Sequence, residues 1–257
     1  MARTMADIEL LDRVIAGGAP VRAADLKKVR LGVVQAFHED LDDDTRAALD
    51  AATRRMLDAG ATIVAIDMPR LAELNGAVGF PLALYEAYDD MVAYLKRYDT
   101  GVDIEQLAAA IASPDVKATY QGLVLPRKLP GPDDTVVDAR PAYDAAIATA
   151  RPALRQLYAD TFAKHKLDAL VFPTVPRVAM EANPDSSSLG NFLTFIRNTD
   201  PGSNAGIPGL TLPIGLGATS GLPVGIELDG PAGSDRRLIS IGLALERLFG
   251  ALPPPAR

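Results

Sequence analysis

The chain has 257 residues, 48% of them hydrophobic and 23% charged, an ordinary balance for a soluble globular protein of one large or two small domains. Its net charge of −7 provides no basic field for a phosphate backbone, so nucleic acid is not an expected partner. Cysteine is absent, which excludes disulfides, thiolate catalysis and cysteine-ligated zinc and fits a reducing cytoplasm.

The opening run MARTMADIELLDRVIAGG carries acids among its apolar residues and does not read as a signal peptide. No stretch reaches ~18 uninterrupted apolar residues, so no membrane span is expected. Thr4 with Asp7 three residues on, then Ile8, Leu11 and Ile15 at helical spacing, predicts a first helix that Gly17-Gly18 stops. VRLGVVQAF (29–37) predicts a buried strand. DDDTRAALDAATRRMLDAG (42–60) predicts an amphipathic helix with Ala48, Ala52, Met56 and Leu57 on one face and Gly60 as its stop. ATIVAIDMP (61–69) predicts a second strand. Strand, helix and strand in this order form a βαβ unit, which implies a right-handed crossover and a parallel pair.

From 70 to about 166 the pattern is helical, with candidates at 84–99, 103–113 and 138–166 and a loop at 126–134. Pro152 predicts a kink or a break in the last of these. The final third returns to sheet: LDALVFPTVP (167–176), then GLTLPIG (209–215) and LPVGIEL (222–228) around a glycine-rich connection of hairpin length. A closing helix over 233–250, capped by Ser234 or Asp235, carries Leu238, Ile241, Leu245 and Leu248 as its apolar stripe, and ALPPPAR reads as a frayed tail. The expected fold is α/β: a mixed β-sheet covered by helices, one domain over 1–257 with a helical insertion at about 70–166.

Chemistry is sparse in this pattern. Ser186, Ser187 and Ser188 follow EANPD without a strand–turn–helix context, and Ser203 does not fit a G-x-S-x-G elbow. The two histidines, His38 and His165, suggest no Ser-His-Asp triad, although the acidic neighbourhood of His38 is expected to raise its pKa. The acids of EDLDDD (39–44) read as a helix start rather than a calcium loop, and no phosphate cradle follows a strand, so no metal and no cofactor are expected. The missing phosphate loop also argues against a nucleotide-binding reading of 29–69.

That leaves NTDPGSNAGIPGLTLPIGL (198–216), where glycines and prolines run directly into a candidate core strand. Glycines at 202, 206 and 209 permit close backbone approach, and Asn198, Ser203 and Asn204 are set among them. Two readings stay open on the residues alone: a few placed hydrogen bonds in a small-ligand pocket, or a tight strand entry in which Asn204 satisfies local backbone.

In combination these segments resemble the C-terminal part of amidase-signature hydrolases. The resemblance rests on Asn204, Ala205, Gly206 and Pro208, then Gly221, Leu222, Pro223, Val224 and Gly225, then the last helix. LDALVFPTVP and MART with ADIELLDRVIAG extend it over nearly the whole chain, most weakly between 70 and 165. It implies that 198–216 lines the floor of a substrate pocket before entering the sheet, and that the substrate is a small, aryl carboxamide. The expected substrate contacts are Thr194, Asn198, Ser203, Asn204 and Gly206, with aromatic walls from Phe192, Phe195 or Tyr85.

Such hydrolases use a lysine, a bridging serine and a nucleophilic serine in a Gly-Gly-Ser-Ser-Gly-Gly stretch, and residues 1–257 contain no such stretch. No catalytic residue is therefore assigned. The expectation is the pocket-bearing portion of an amidase without its catalytic core, as a truncated product, an internal-start product or one piece of a split enzyme. Its partners would be a small amide substrate and either an N-terminal amidase fragment or further copies of the chain paired through exposed strands. The alternative is a non-catalytic binding or interaction domain on the same scaffold.

Overall fold

The computed structural model describes residues 1–133 and 135–252; residues 253–257 of the expected frayed tail, and Asp134 of the expected 126–134 loop, lie outside the described residues. In chain order the first elements are α1 (Met5–Ala16), β1 (Arg30–Val34), α2 (Asp43–Asp58), β2 (Thr62–Ile66), α3 (Leu71–Gly76) and α4 (Gly79–Arg97). There follow α5 (Ile104–Ala110), α6 (Pro114–Thr119), β3 (Lys128–Pro130), β4 (Val136–Asp138), α7 (Ala139–Ala145) and α8 (Arg151–His165). The last are β5 (Ala169–Pro173), α9 (Leu189–Ile196), α10 (Asp200–Ala205), β6 (Gly209–Leu216), β7 (Pro223–Asp229) and α11 (Asp235–Phe249). No helix among the described residues is long and apolar enough to cross a membrane.

Contacts divide the chain into two compact units, where the sequence suggests one domain with an insertion. The first unit comprises Met1–Pro69, Leu157–Glu181 and the residues from Thr194 onward. Its strands form a mixed sheet in the order β2-β1-β5-β7-β6. The β2–β1 and β1–β5 pairs are parallel, as a βαβ crossover requires, and β5–β7 and β7–β6 are antiparallel. One face of this sheet buries Leu31, Val171, Leu212, Ile226 and Leu228 against α2 and α11.

Local sequence explains both covering helices. Asp42 accepts a hydrogen bond from Thr45 N at 2.7 Å and so caps α2, with Asp43 and Asp44 at the positive end of its dipole. Leu49, Ala52 and Met56, spaced three and four apart, then meet the sheet. Leu238, Ile241 and Leu245 do the same for α11, which Gly250 ends at φ +80°. Helix α1 lies on α11 through Met5 and Leu243.

The second unit, Arg70–Gln156 with Ala182–Leu193, is mostly helical. Leu84, Val124, Leu129 and Ala139 form its small core. Two expectations are corrected in it. The loop expected at 126–134 contains a strand, because Lys128–Pro130 pairs antiparallel with Val136–Asp138. The helix expected over 103–113 ends at Ala110, and Pro114 starts a separate helix as a first-turn proline. Near Pro152 the long helical run is interrupted: a π-type turn at Ala146–Ala150 separates α7 from α8, which starts at Arg151.

Candidate functional site

Side chains alternate along β7. Val224, Ile226 and Leu228 enter the apolar core, which leaves Gly225, Glu227 and Asp229 on the other face. The same alternation on β6 places Gly209 opposite Asp229, Thr211 opposite Glu227 and Pro213 opposite Gly225. This face is therefore built from two acids set among glycine, proline and threonine.

Both acids are buried, Glu227 at 9% and Asp229 at 4% exposure. The hydroxyls of Thr174 and Thr211 lie 2.5 Å apart and hydrogen-bond Glu227. Burial pushes the Glu227 carboxyl up to about 7, against the opposing pull of those two hydroxyls. Burial, with the charge of Glu227 added, pushes Asp229 up to about 8. Both causes favour the protonated form of Asp229. Its Oδ2 and the hydroxyl of nearby Tyr158 are both enclosed without a hydrogen-bond partner. This cluster can hold or release a proton and offer hydrogen bonds; it contains no activated serine.

The glycines of the 198–216 segment face this pair. A Cβ on Gly202 would collide with the Asp229 carboxylate, and one on Gly209 would stand 2.9 Å from both Asp229 Oδ1 and Glu227 Oε1. The segment is not broken backbone, as its composition suggests, but contains the helical turn α10. Pro201 sits in its first turn with a preset φ, and Gly206 ends it in the left-handed conformation at φ +70°. Here proline and glycine punctuate a helix rather than prevent one.

The expected contact residues fall as follows. Asn198 is fully buried, and its Nδ2 donates to Phe37 O at 3.0 Å and to Pro173 O at 2.8 Å. Its amide therefore braces the end of β5 against the turn after β1, which corrects the expectation that it faces a cavity. Ser203 is exposed and its hydroxyl donates back to Thr199 O at 2.9 Å. Thr194, Phe195 and Asn204 are half-buried in the first unit, and Gly206 is exposed. Phe192 (48% exposed) and Tyr85 belong to the second unit. There Tyr85 stacks on Tyr143 at 4.2 Å with Arg127 5.1 Å from its ring centre.

Glu227, Asp229, Tyr158, Thr174 and Thr211 were not singled out from sequence. The available signal was two acids at alternate positions of an otherwise apolar strand, PVGIELDG. His38 is a correction of sign: burial lowers its pKa and outweighs the raising effects of the Val171 backbone and Asp50. The start of α2 is as expected, and Asp44 also accepts from Thr219 N (2.9 Å) and Ser220 N (2.8 Å), pinning the β6–β7 turn. Among the described residues no three His, Cys, Asp or Glu side chains are placed to hold a metal ion.

The family model for amidases matches residues 1–239, from ahead of α1 into α11. The chain belongs to the Amidase family. It is 41% identical over 257 residues to a mandelamide hydrolase from Pseudomonas putida, covering 100% of this chain and 51% of that enzyme. To an indoleacetamide hydrolase from Agrobacterium vitis it is 37% identical over 255 residues, covering 96% of this chain and 52% of that one. A crystal structure of native peptide amidase from Stenotrophomonas maltophilia shares the fold, with a TM-score of 0.68 at 24% identity over 100% of this chain and 54% of that chain. The chain thus spans about half the length of the curated relatives it matches. The α/β fold with its mixed sheet agrees with this membership.

Proposed function

We propose that this chain is the pocket-bearing portion of an amide hydrolase for small, aryl carboxamides. The lysine and two serines of catalysis come from polypeptide outside residues 1–257. The observation that carries this reading is the 41% identity, colinear over the full chain, to a mandelamide hydrolase. The segment from Thr194 to Gly206 supplies substrate contacts through Thr194, Phe195, Ser203 and Asn204. Asn198 holds that segment's scaffold from behind, and the pocket needs few polar groups among apolar ones. Phe195 is the aromatic contact within this unit; Tyr85 and Phe192 belong to the other one.

Complementation tests this reading. The purified chain is mixed with an N-terminal amidase fragment that bears the lysine and the Gly-Gly-Ser-Ser-Gly-Gly stretch, and hydrolysis of mandelamide and phenylacetamide is followed. Turnover only in the mixture, with fluorophosphonate labelling on the added fragment, is the expected result. Turnover by the chain alone with a stoichiometric serine adduct refutes the external nucleophile. The absence of the serine stretch from residues 1–257 favours a second reading, a non-catalytic carboxamide-binding domain. Calorimetric binding of the amides with no turnover in any mixture would select it, and neither binding nor turnover would overturn both.

A further inference from the structure

The two glycines fitted around Asp229 lie on different elements, Gly202 on α10 and Gly209 on β6. A Cβ on Gly202 would collide with Asp229 Oδ2 and one on Gly209 would stand 2.9 Å from its Oδ1, so the approach of α10 to the sheet, through Gly202 above all, depends on the size and the charge of this one group. Four elements press on it. Along β7 it meets Glu227 two residues before; from β5 and β6 it meets Leu170 and Gly209, which are uncharged; from α8 it meets Tyr158 and, from α10, Gly202 with Asp200 acting on the same Tyr158. The charged group that acts on Asp229 is Glu227, which has the same sign. With Oδ2 enclosed and making no hydrogen bond, not even to the nearby Tyr158 hydroxyl, a negative charge at that atom is poorly stabilised.

We infer that Asp229 is a protonation latch on the 199–207 segment: as the neutral acid it lets Gly202 and Gly209 close against β7, and loss of its proton opens α10 from the sheet to hydrate the carboxylate. The direction of its pKa, raised by burial and by Glu227, fits a group whose proton is held by the closed state. The inference stands apart from the amidase reading, because its readout is the opening of α10 and not activity. Its consequence for that reading is that Ser203 and Asn204 ride on an element whose closure is set by pH.

Amide hydrogen exchange on the full chain between pH 5 and 8.5 tests it, with rates corrected for intrinsic exchange. An open state in which Asp229 has an ordinary acid pKa makes protection of the 199–207 amides fall roughly tenfold per pH unit up to about pH 7.5. Asp229→Asn, close in size and without the charge, is expected to make that protection independent of pH. Glu227→Gln is expected to keep the dependence. Gly202→Ala, whose Cβ collides with the carboxyl, is expected to leave the segment weakly protected at every pH, and it decides the matter should Asp229→Asn fail to fold. Protection in the wild-type chain that does not change with pH overturns the latch. So does a slope that survives in Asp229→Asn, or one that Gly202→Ala retains.

Discussion

Replacing Asn198 with alanine separates a brace from a ligand contact. The amide is fully buried and makes two hydrogen bonds to backbone carbonyls, at 3.0 Å to Phe37 and 2.8 Å to Pro173, and its Oδ1 lies 3.3 Å from Arg197 Nε. Truncation leaves those carbonyls without these donors, each costing about 1–3 kcal/mol, and a small void beside them. With partial relaxation the expected loss is about 2–5 kcal/mol, a large share of a domain's net ~5–15 kcal/mol. Asn198→Asp keeps the shape but removes both donors and sets a carboxyl beside two carbonyl oxygens, so it is expected to destabilise more. Urea unfolding followed by circular dichroism, without any ligand, reads both values. A loss in Asn198→Ala below about 0.5 kcal/mol would refute the brace, which by the argument above requires at least one orphaned carbonyl. Such a result combined with weakened carboxamide binding would return Asn198 to the pocket.

Glu227 and Asp229 both have folded-state pKa values above their unfolded ones, so the stability they contribute is present at acid pH and is lost as pH rises toward about 7 and 8. The expected loss is about 1.4 kcal/mol per pH unit per titrating group between roughly pH 5 and 7, and urea unfolding should show a shallower slope for Asp229→Asn; a slope unchanged by that substitution would contradict it. Asp44 titrates the other way: hydrogen bonds from the Ser220 side chain and the Thr219 and Ser220 N–H groups hold its carboxyl low, so its contribution fades as pH falls, and Asp44→Asn should lose stability only above that range. Asp42→Ala removes 2.7 Å bonds from both Thr45 N and Val178 N and should lower stability by about 2 kcal/mol, while Asp42→Asn keeps one acceptor, sets its NH2 against the other N–H, and should recover only part of the loss. Strand β6 pairs with β7 alone among the described residues, and Leu10, Leu11, Val14 and Ile15 of α1 are exposed. Light scattering is therefore expected to show self-association that Leu216→Lys at the β6 edge weakens, and a monomer at every concentration would count against it.

Local chemistry made several elements legible in the sequence. Thr4 with Asp7 and Gly60 at φ +93° mark helix ends through hydrogen bonds and dihedral preferences within a few residues, so they can be read before any fold is known. The parallel β1–β2 pair followed from the spacing of its crossover helix, and family membership from the combination of Asn204–Pro208 with Gly221–Gly225 and the last helix. Gly202, by contrast, looked like a breaker because its reason lies 27 residues further on, in the carboxyl of Asp229. The role of Asn198 depends on carbonyls 25 and 161 residues away in sequence. The raised pKa values of Glu227 and Asp229 come from burial, which no window along the chain contains. Sequence determined what each segment prefers; the pairing of β7 between β5 and β6 decided which two acids are buried side by side, because desolvation and charge act through space and not along the chain.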